Sequence, residues 1–238
     1  MRKLAVVTDF DGTLMEHDVG VEVMNALGVV DNPKVDEAIA RYRNKEIGSL
    51  EWIKIAYPLL EGKQEQVDQV LKRVHLRDGA VEFLRFCKEQ GIPVTILSDG
   101  MLYYIEQLLT HNDIVVDQVI SNPITYTMDG QFHFDVQNRN EACTWCGCCK
   151  AGVVRELKEQ GWDIIYIGDG SSDYYGSSYA DWVFARSSLA RYLKEEGTGY
   201  YPFQTFHDVL EVMAPHIESF RQGTAELKLN KTNSFCKF

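Results

Sequence analysis

The chain lacks an apolar run approaching the ~18–20 residues that a membrane-spanning helix needs, so no membrane partner is expected. Arg2 and Lys3 are followed only by Leu4–Val7 before Asp9. That stretch is too short for a signal-peptide core, and the expected compartment is the cytoplasm. Basic residues are the minority: 24 Lys and Arg against 35 Asp and Glu leave a net charge of -11. Such a balance argues against nonspecific nucleic-acid binding, which needs a basic surface. An anionic substrate would then require local compensation from a metal, a lysine or backbone amides. Internal repeats and low-complexity segments are also missing. Six cysteines, four of them between positions 143 and 149, lack the spacing of a secreted disulfide framework.

What is present suits a chain with a large core. The 238 residues are 45% hydrophobic and 25% charged, within the range of ordinary globular proteins. Four short apolar runs rich in β-branched residues read as strands covered on both faces: Leu4–Val7, Pro93–Leu97, Asp163–Ile167 and Trp182–Ala185. Helical spacing over 79–90 and 152–160, each closed by a glycine (Gly91, Gly161), precedes the second and third. The alternation predicts an α/β fold with a parallel sheet. In such sheets ligands sit beyond the carboxyl ends of the strands, where this chain places Asp9, Ser98 and Asp169. Residues 16–75 read as a mostly helical insertion, including Pro33–Arg43 and Lys63–Val74. Residues 122–138 alternate about Asp129-Gly130 as a β-hairpin, within an insertion of about 122–149. The expected division is a core of 1–15 plus 76–215, a helical cap of 16–75 and a loosely held polar tail of 216–238, unpatterned from about Ser219.

The stretch Val6-Val7-Thr8-Asp9-Phe10-Asp11-Gly12-Thr13 brings two carboxylates out of an apolar run. On a continuing strand both would point the same way and need a cation or a proton between them; an Asx-type turn suits Asp-Gly-Thr equally. Together with Ser98, Lys150, Asp169 and Asp173 these residues can supply a nucleophile, a proton donor, anion contacts and a cation site. Mg2+ prefers oxygen ligands, which Asp9, Asp169 and the backbone carbonyl of Asp11 would offer, with Asp173 acting directly or through a water. A carboxylate can attack phosphorus, a neighbouring acid can protonate the leaving oxygen, and a lysine can neutralise the charge that develops. Singly each residue has a bland reading as a turn or solvated group; their order along the chain is what carries weight.

With D-F-D-G-T, L-S-D-G, a helix-opening lysine and G-D-G-S-S-D in that order, the chain resembles the haloacid dehalogenase superfamily in its phosphoserine-phosphatase-like branch, over roughly 4–186. The resemblance implies a Rossmann-like core, a helical cap after the first strand with the hairpin as a smaller insertion, and Mg2+ dependence. It implies Asp9 as nucleophile, Asp11 as acid and base, Ser98 and Lys150 as phosphate contacts, and Asp169 and Asp173 at the metal. One departure stands out. The branch often has two glycines after the motif serine, where this chain has Asp99-Gly100. The Asp99 side chain must then point away from phosphate, and the backbone contact falls to Gly100.

Cys143, Cys146, Cys148 and Cys149 run directly into Lys150. The alternatives for them are a structural Zn2+ site, a redox role or packing thiols. The C-G-C-C-K run also resembles a narrower branch of phosphatases acting in methionine salvage. Glu16, His17 and Tyr103, with Tyr104, are candidates for contacting the organic part of a substrate; the first two equally suit an exposed helix start and the tyrosines suit packing. The expected partner is a small phosphorylated metabolite. Three readings stay open: a Mg2+-dependent metabolite phosphatase, a phosphoserine phosphatase or phosphotransferase on the same site, and a non-catalytic zinc- or redox-responsive binding protein. Nothing in the pattern speaks to oligomeric state.

Overall fold

A computed structural model describes residues 3–126, 132–137, 140 and 143–229. Six strands form one parallel sheet: β1 (Lys3–Thr8), β2 (Val94–Met101), β3 (Gln118–Asn122), β6 (Trp162–Gly168), β7 (Trp182–Ala185) and β8 (Tyr201–Pro202), in spatial order β3-β2-β1-β6-β7-β8. The remaining two strands, β4 (Ile124–Tyr126) and β5 (Phe132–Phe134), pair antiparallel, with Thr125 opposite His133. This is the expected hairpin; its Met128-Asp129-Gly130 turn lies outside the described residues. The four apolar runs read from the sequence are β1, β2, β6 and β7, and they occupy the middle of the sheet.

Side-chain alternation divides the core into two layers. Leu4 and Val6 of β1 join Ile96, Ile165, Ile167 and Phe184 on one face. They pack beneath α5 (Ala80–Glu89) and α10 (Phe206–Gln222), where Phe83 and Phe206 have ring centroids 5.0 Å apart. Ala5 and Val7 join Leu97, Ile164, Tyr166 and Val183 on the other face, beneath α7 (Lys150–Glu159) and α9 (Ser187–Glu195). Burial on both faces explains the unbroken apolar runs.

Between β1 and β2 the chain forms α1 (Val19–Ala26), α2 (Pro33–Arg43), α3 (Ser49–Ala56), a short 3-10 turn (Tyr57–Leu60) and α4 (Gln64–Leu71). Asp18 caps α1 by accepting the Val21 N–H, and Asn32 caps α2 with Pro33 in its first turn, both favoured helix starts. The hairpin packs against this helical layer through Tyr57 and Phe134, and against α6 (Leu102–His111) through Tyr126 and Tyr103.

The tail departs from expectation. Residues 216–222 continue α10, and residues 223–229 are packed: Ala225 is buried, its carbonyl accepts from Trp182 Nε1, and Leu229 N–H donates to Asp181 O at 2.7 Å, while residues 230–238 of the expected tail lie outside the described residues. The apolar anchors Phe220 and Ala225 lie too far apart to give a recognisable period. No helix among the described residues is long and apolar enough to cross a membrane.

Candidate active site

β1 pairs with β2 on one side and β6 on the other, both in parallel, with Thr8 opposite Ile96 and Ile167. The chain therefore leaves β1 where the strand order reverses, at the crevice where open α/β sheets hold ligands. Asp9 N–H extends the ladder by donating to Ile167 O at 2.9 Å. β1 then ends, and the expectation that Asp9 and Asp11 share one strand face is corrected. Phe10–Leu14 coil into a wide turn closed by Met15 N–H on Phe10 O. The turn is possible because Gly12 takes φ +69°, and a Cβ there would lie 2.8 Å from Asp169 Oδ2. The two carboxylates diverge.

Asp9 joins a charge cluster. Lys150, at the first turn of α7, is 2% exposed and places Nζ 2.9 Å from Asp9 Oδ1 and 2.7 Å from Asp173 Oδ1. A lysine so deeply buried requires such pairing. Asp173 opens α8 (Asp173–Ser177) and also accepts from Tyr166 Oη and the N–H groups of Asp169 and Gly170. Asp169 accepts from Thr13 Oγ1 at 3.0 Å. One carboxylate oxygen from each of Asp9, Asp169 and Asp173 lies within 4.8 Å of the others. Burial, then repulsion from Asp173, pushes Asp169 up to about 6 and raises Asp9 as well, although Lys150 opposes the Asp9 shift. Burial acts the same way on Asp173, but Lys150 and the other donors outweigh it and hold that carboxyl below its usual range. Three carboxylates against one ammonium leave an excess of negative charge on oxygen donors, which suits a hard divalent cation.

Asp11 lies on the other side of the turn. Its Oδ1 accepts Val19 N–H at 3.0 Å, and its Oδ2 accepts from Tyr104 Oη at 2.6 Å and Ser98 Oγ at 3.2 Å. Burial, followed by repulsion from Asp18, pushes this carboxyl up to about 7. Ser98 is held by a register shift in β2 beyond Leu97, a device that re-aims side chains, and Gly100 N–H donates to its Oγ at 2.9 Å. A Cβ on Gly100 would lie 1.9 Å from Tyr104 Oη.

The structure brings together Asp9, Lys150, Asp169 and Asp173, and beside them Asp11, Ser98 and Gly100. Glu16 and His17 are exposed; their carbonyls accept from Arg77 Nη2 and Gly12 N–H respectively, bracing the turn. Tyr103 turns to Asp68, donating at 2.7 Å, while its neighbour Tyr104 reaches Asp11. Among the described residues, the one group of three or more ligand atoms that could hold a metal is Asp9, Asp169 and Asp173. Among the described residues Cys143, Cys146, Cys148 and Cys149 form none, so of the three alternatives for them the zinc site finds no support. Cys148 is packed into the sheet core, where burial pushes its thiol up and opposes thiolate chemistry.

Two arginines escaped the sequence reading. The Arg77 guanidinium is buried and donates to the carbonyls of Gly12, Thr13, Met15, Glu16 and Gln204; Arg186 Nη1 also donates to Gly12 O at 2.8 Å. Their partners are carbonyls distant in sequence, for which no local pattern exists. A cleft of about 700 Å³ opens beside the Asp169 loop, lined by residues that include Tyr42, Lys45, Trp145, Ser171, Tyr175 and Arg191. Tyr42 Oη and Ser171 Oγ stand 3.1 Å apart across it.

Residues 6–176 match the family model of haloacid dehalogenase-like hydrolases. The chain is 30% identical over 208 residues to the 2-hydroxy-3-keto-5-methylthiopentenyl-1-phosphate phosphatase of Bacillus velezensis, covering 86% of this chain and 87% of that one. It is 28% identical over 215 residues to the protein of the same name from Exiguobacterium sibiricum, covering 87% and 95%. Among solved structures, a phospho-aspartyl intermediate analogue of phosphoserine phosphatase superposes with a TM-score of 0.68 at 19% identity, covering 89% of this chain and 99% of that one.

Proposed function

This chain belongs to the haloacid dehalogenase-like hydrolase family, and from that premise we propose that it is a Mg2+-dependent phosphatase. It hydrolyses a small phosphorylated metabolite through an aspartyl-phosphate on Asp9. The observation that carries the reading is the buried Lys150 bridging Asp9 and Asp173 beside Asp169. Such an arrangement is costly unless an anion or cation completes it.

Asp9 Oδ1 is engaged by Lys150 Nζ and by Phe10 N–H at 2.8 Å. Oδ2 is then the oxygen that attacks phosphorus, forming the Asp9–phosphorus bond as the ester P–O bond breaks. The leaving oxygen takes its proton from Asp11, which is protonated near neutrality because burial and Asp18 raise it to about 7. Asp11, now a carboxylate, removes a proton from water. The resulting hydroxide attacks phosphorus and breaks the bond to Asp9, restoring its carboxylate and releasing phosphate. Lys150 stays paired with Asp9 throughout, and Ser98 Oγ and the Gly100 N–H are the phosphoryl contacts. Asp9, Asp169, Asp173 and the Asp11 carbonyl are the groups that would hold Mg2+, which when bound offsets phosphoryl charge.

The substrate proposed is 2-hydroxy-3-keto-5-methylthiopentenyl-1-phosphate, supported by the names of the relatives that share most of this chain's length. The organic part is placed in the cleft bounded by Tyr42 and Arg191, with residues 16–75 acting as the cap and the cytoplasm as the site of action. The likeness to phosphoserine phosphatase supports the fold alone. Turnover of a panel of phosphate esters, with Mg2+ and with EDTA, tests the proposal. Hydrolysis that needs Mg2+ and disappears in Asp9→Asn is expected; equal turnover by Asp9→Asn overturns it.

A further inference from the structure

Asp99 occupies the position where the family branch often has glycine, and its carboxylate does not face the reacting groups. Oδ2 accepts from Ser49 Oγ at 2.5 Å, at the first turn of α3, and Oδ1 accepts from Cys148 N–H at 2.6 Å, two residues before Lys150. Its carbonyl accepts from Asn122 Nδ2 at 2.6 Å. Ser49 Oγ in turn accepts Gly147 N–H at 3.0 Å, and Leu50 N–H donates to Trp145 O at 3.1 Å. The two segments approach so closely that a Cβ on Gly48 would lie 1.8 Å from Trp145 O, and one on Gly147 would lie 2.6 Å from Ile53 Cδ1. Ser49, Cys148 and Asn122 are all buried.

We propose that Asp99 is a positioning residue: it clamps the start of α3 to the cysteine-rich loop and so sets where Lys150 enters the site. The chemistry requires a carboxylate here. Two donors from separate segments reach two different oxygens, so an amide of the same size must present an NH2 group to one of them. Ser49 acts as the relay, donating to Asp99 while accepting from Gly147. Within the cysteine-rich run, Gly147 leaves room for Ile53 of α3 while Cys148 packs into the sheet core. Cys148 is the most deeply buried cysteine of that loop, and its thiol reports whether the clamp is closed. The role in catalysis rests on the proposed phosphatase activity; the clamp itself does not.

The test is thiol alkylation of the full chain by iodoacetamide, read by peptide mass spectrometry at Cys148 and Cys87, alongside steady-state turnover. Cys87 is fully buried in the opposite core layer, so it reports global unfolding. Losing a hydrogen bond to a charged acceptor in Asp99→Asn is expected to speed Cys148 labelling by about tenfold or more while Cys87 stays protected. kcat is expected to fall by about tenfold with KM changed much less, as for a displaced Lys150. Ser49→Ala should accelerate Cys148 to a smaller extent, and the double variant no further than Asp99→Asn alone. Unchanged Cys148 labelling in Asp99→Asn with Cys87 protected overturns the proposal. If Cys87 reacts too, Ser49→Ala decides by the same criterion. Clamp-dependent labelling in a protein that hydrolyses no phosphate ester would uphold the clamp while refuting the phosphatase reading.

Discussion

Asp9 and Asp11 stand two positions apart in opposite electrostatic surroundings. Asp9 has a buried ammonium 2.9 Å away and shares that cation with Asp173. Among the described residues Asp11 has no such cation; its partners are two hydroxyls and one amide, and Asp18 adds a repelling charge. Burial penalises both as anions, so the difference lies in what compensates. A carboxylate beside an ammonium and a cation site is suited to attack. One among hydroxyls, raised to about 7, is suited to give and take a proton. The chain leaves the extended path at Phe10, where the wide turn begins, and this carries the two carboxylates to different sides.

The sharpest way to break this comparison is to remove the proposed attacking group. Asp9→Asn should lose on the order of 10^4-fold in kcat, measured with the preferred ester at saturating Mg2+. Asp11→Asn should lose about 10^2- to 10^3-fold on an alkyl ester and much less on p-nitrophenyl phosphate, whose leaving group needs no proton. The sign with pH follows: Asp11 donates only while protonated, so wild-type turnover of the alkyl ester should decline above about pH 7. That decline should be missing in Asp11→Asn.

Lys150→Met sharpens the contrast through stability. It leaves Asp9 and Asp173 buried without their cation, a loss of about 3–5 kcal/mol. Thermal unfolding in EDTA should show a drop on the order of 10 °C, with turnover down about 10^2-fold. For the cation site, Asp169 is raised to about 6, so protons compete there as the pH falls. Mg2+ titrations of activity should show weaker binding at pH 5.5 than at pH 7.5. The smallest effect belongs to Tyr104→Phe. Because the Tyr104 hydroxyl stabilises the Asp11 anion, its loss should move the alkaline limb upward, with kcat changed by less than about threefold.

The parts legible in the sequence were those with local causes. β1, β2, β6 and β7 are central strands, and their continuous burial is written as apolar runs. β3 and β8 escaped because they are edges: Gln118 and Val119 are not buried, and β8 is two residues long with a proline. Asp9, Lys150, Asp169 and Asp173 were readable from motif order, since strand ends in a parallel sheet must converge. Asp-Phe-Asp as an extended run failed because β1 stops at Thr8 and the chain coils from Phe10, which removes the period of two. Tyr104 and the Ser49–Asp99–Cys148 junction depend on partners 49 to 93 residues distant, and no local pattern encodes them. The cysteine spacing left a metal site, a redox role and packing thiols open, and adjacent Cys148 and Cys149 serve different elements: one is tied to Asp99, the other precedes α7.

The central claim is that Asp9 becomes phosphorylated during turnover. Rapid acid quenching of the enzyme with substrate and Mg2+, followed by peptide mass spectrometry, tests it most directly. One phosphoryl group on the peptide bearing Asp9, accumulating within the first turnover and absent from Asp9→Asn, is the expected result. Turnover with no phosphorylated Asp9, or with phosphate attached elsewhere on the chain, would contradict it.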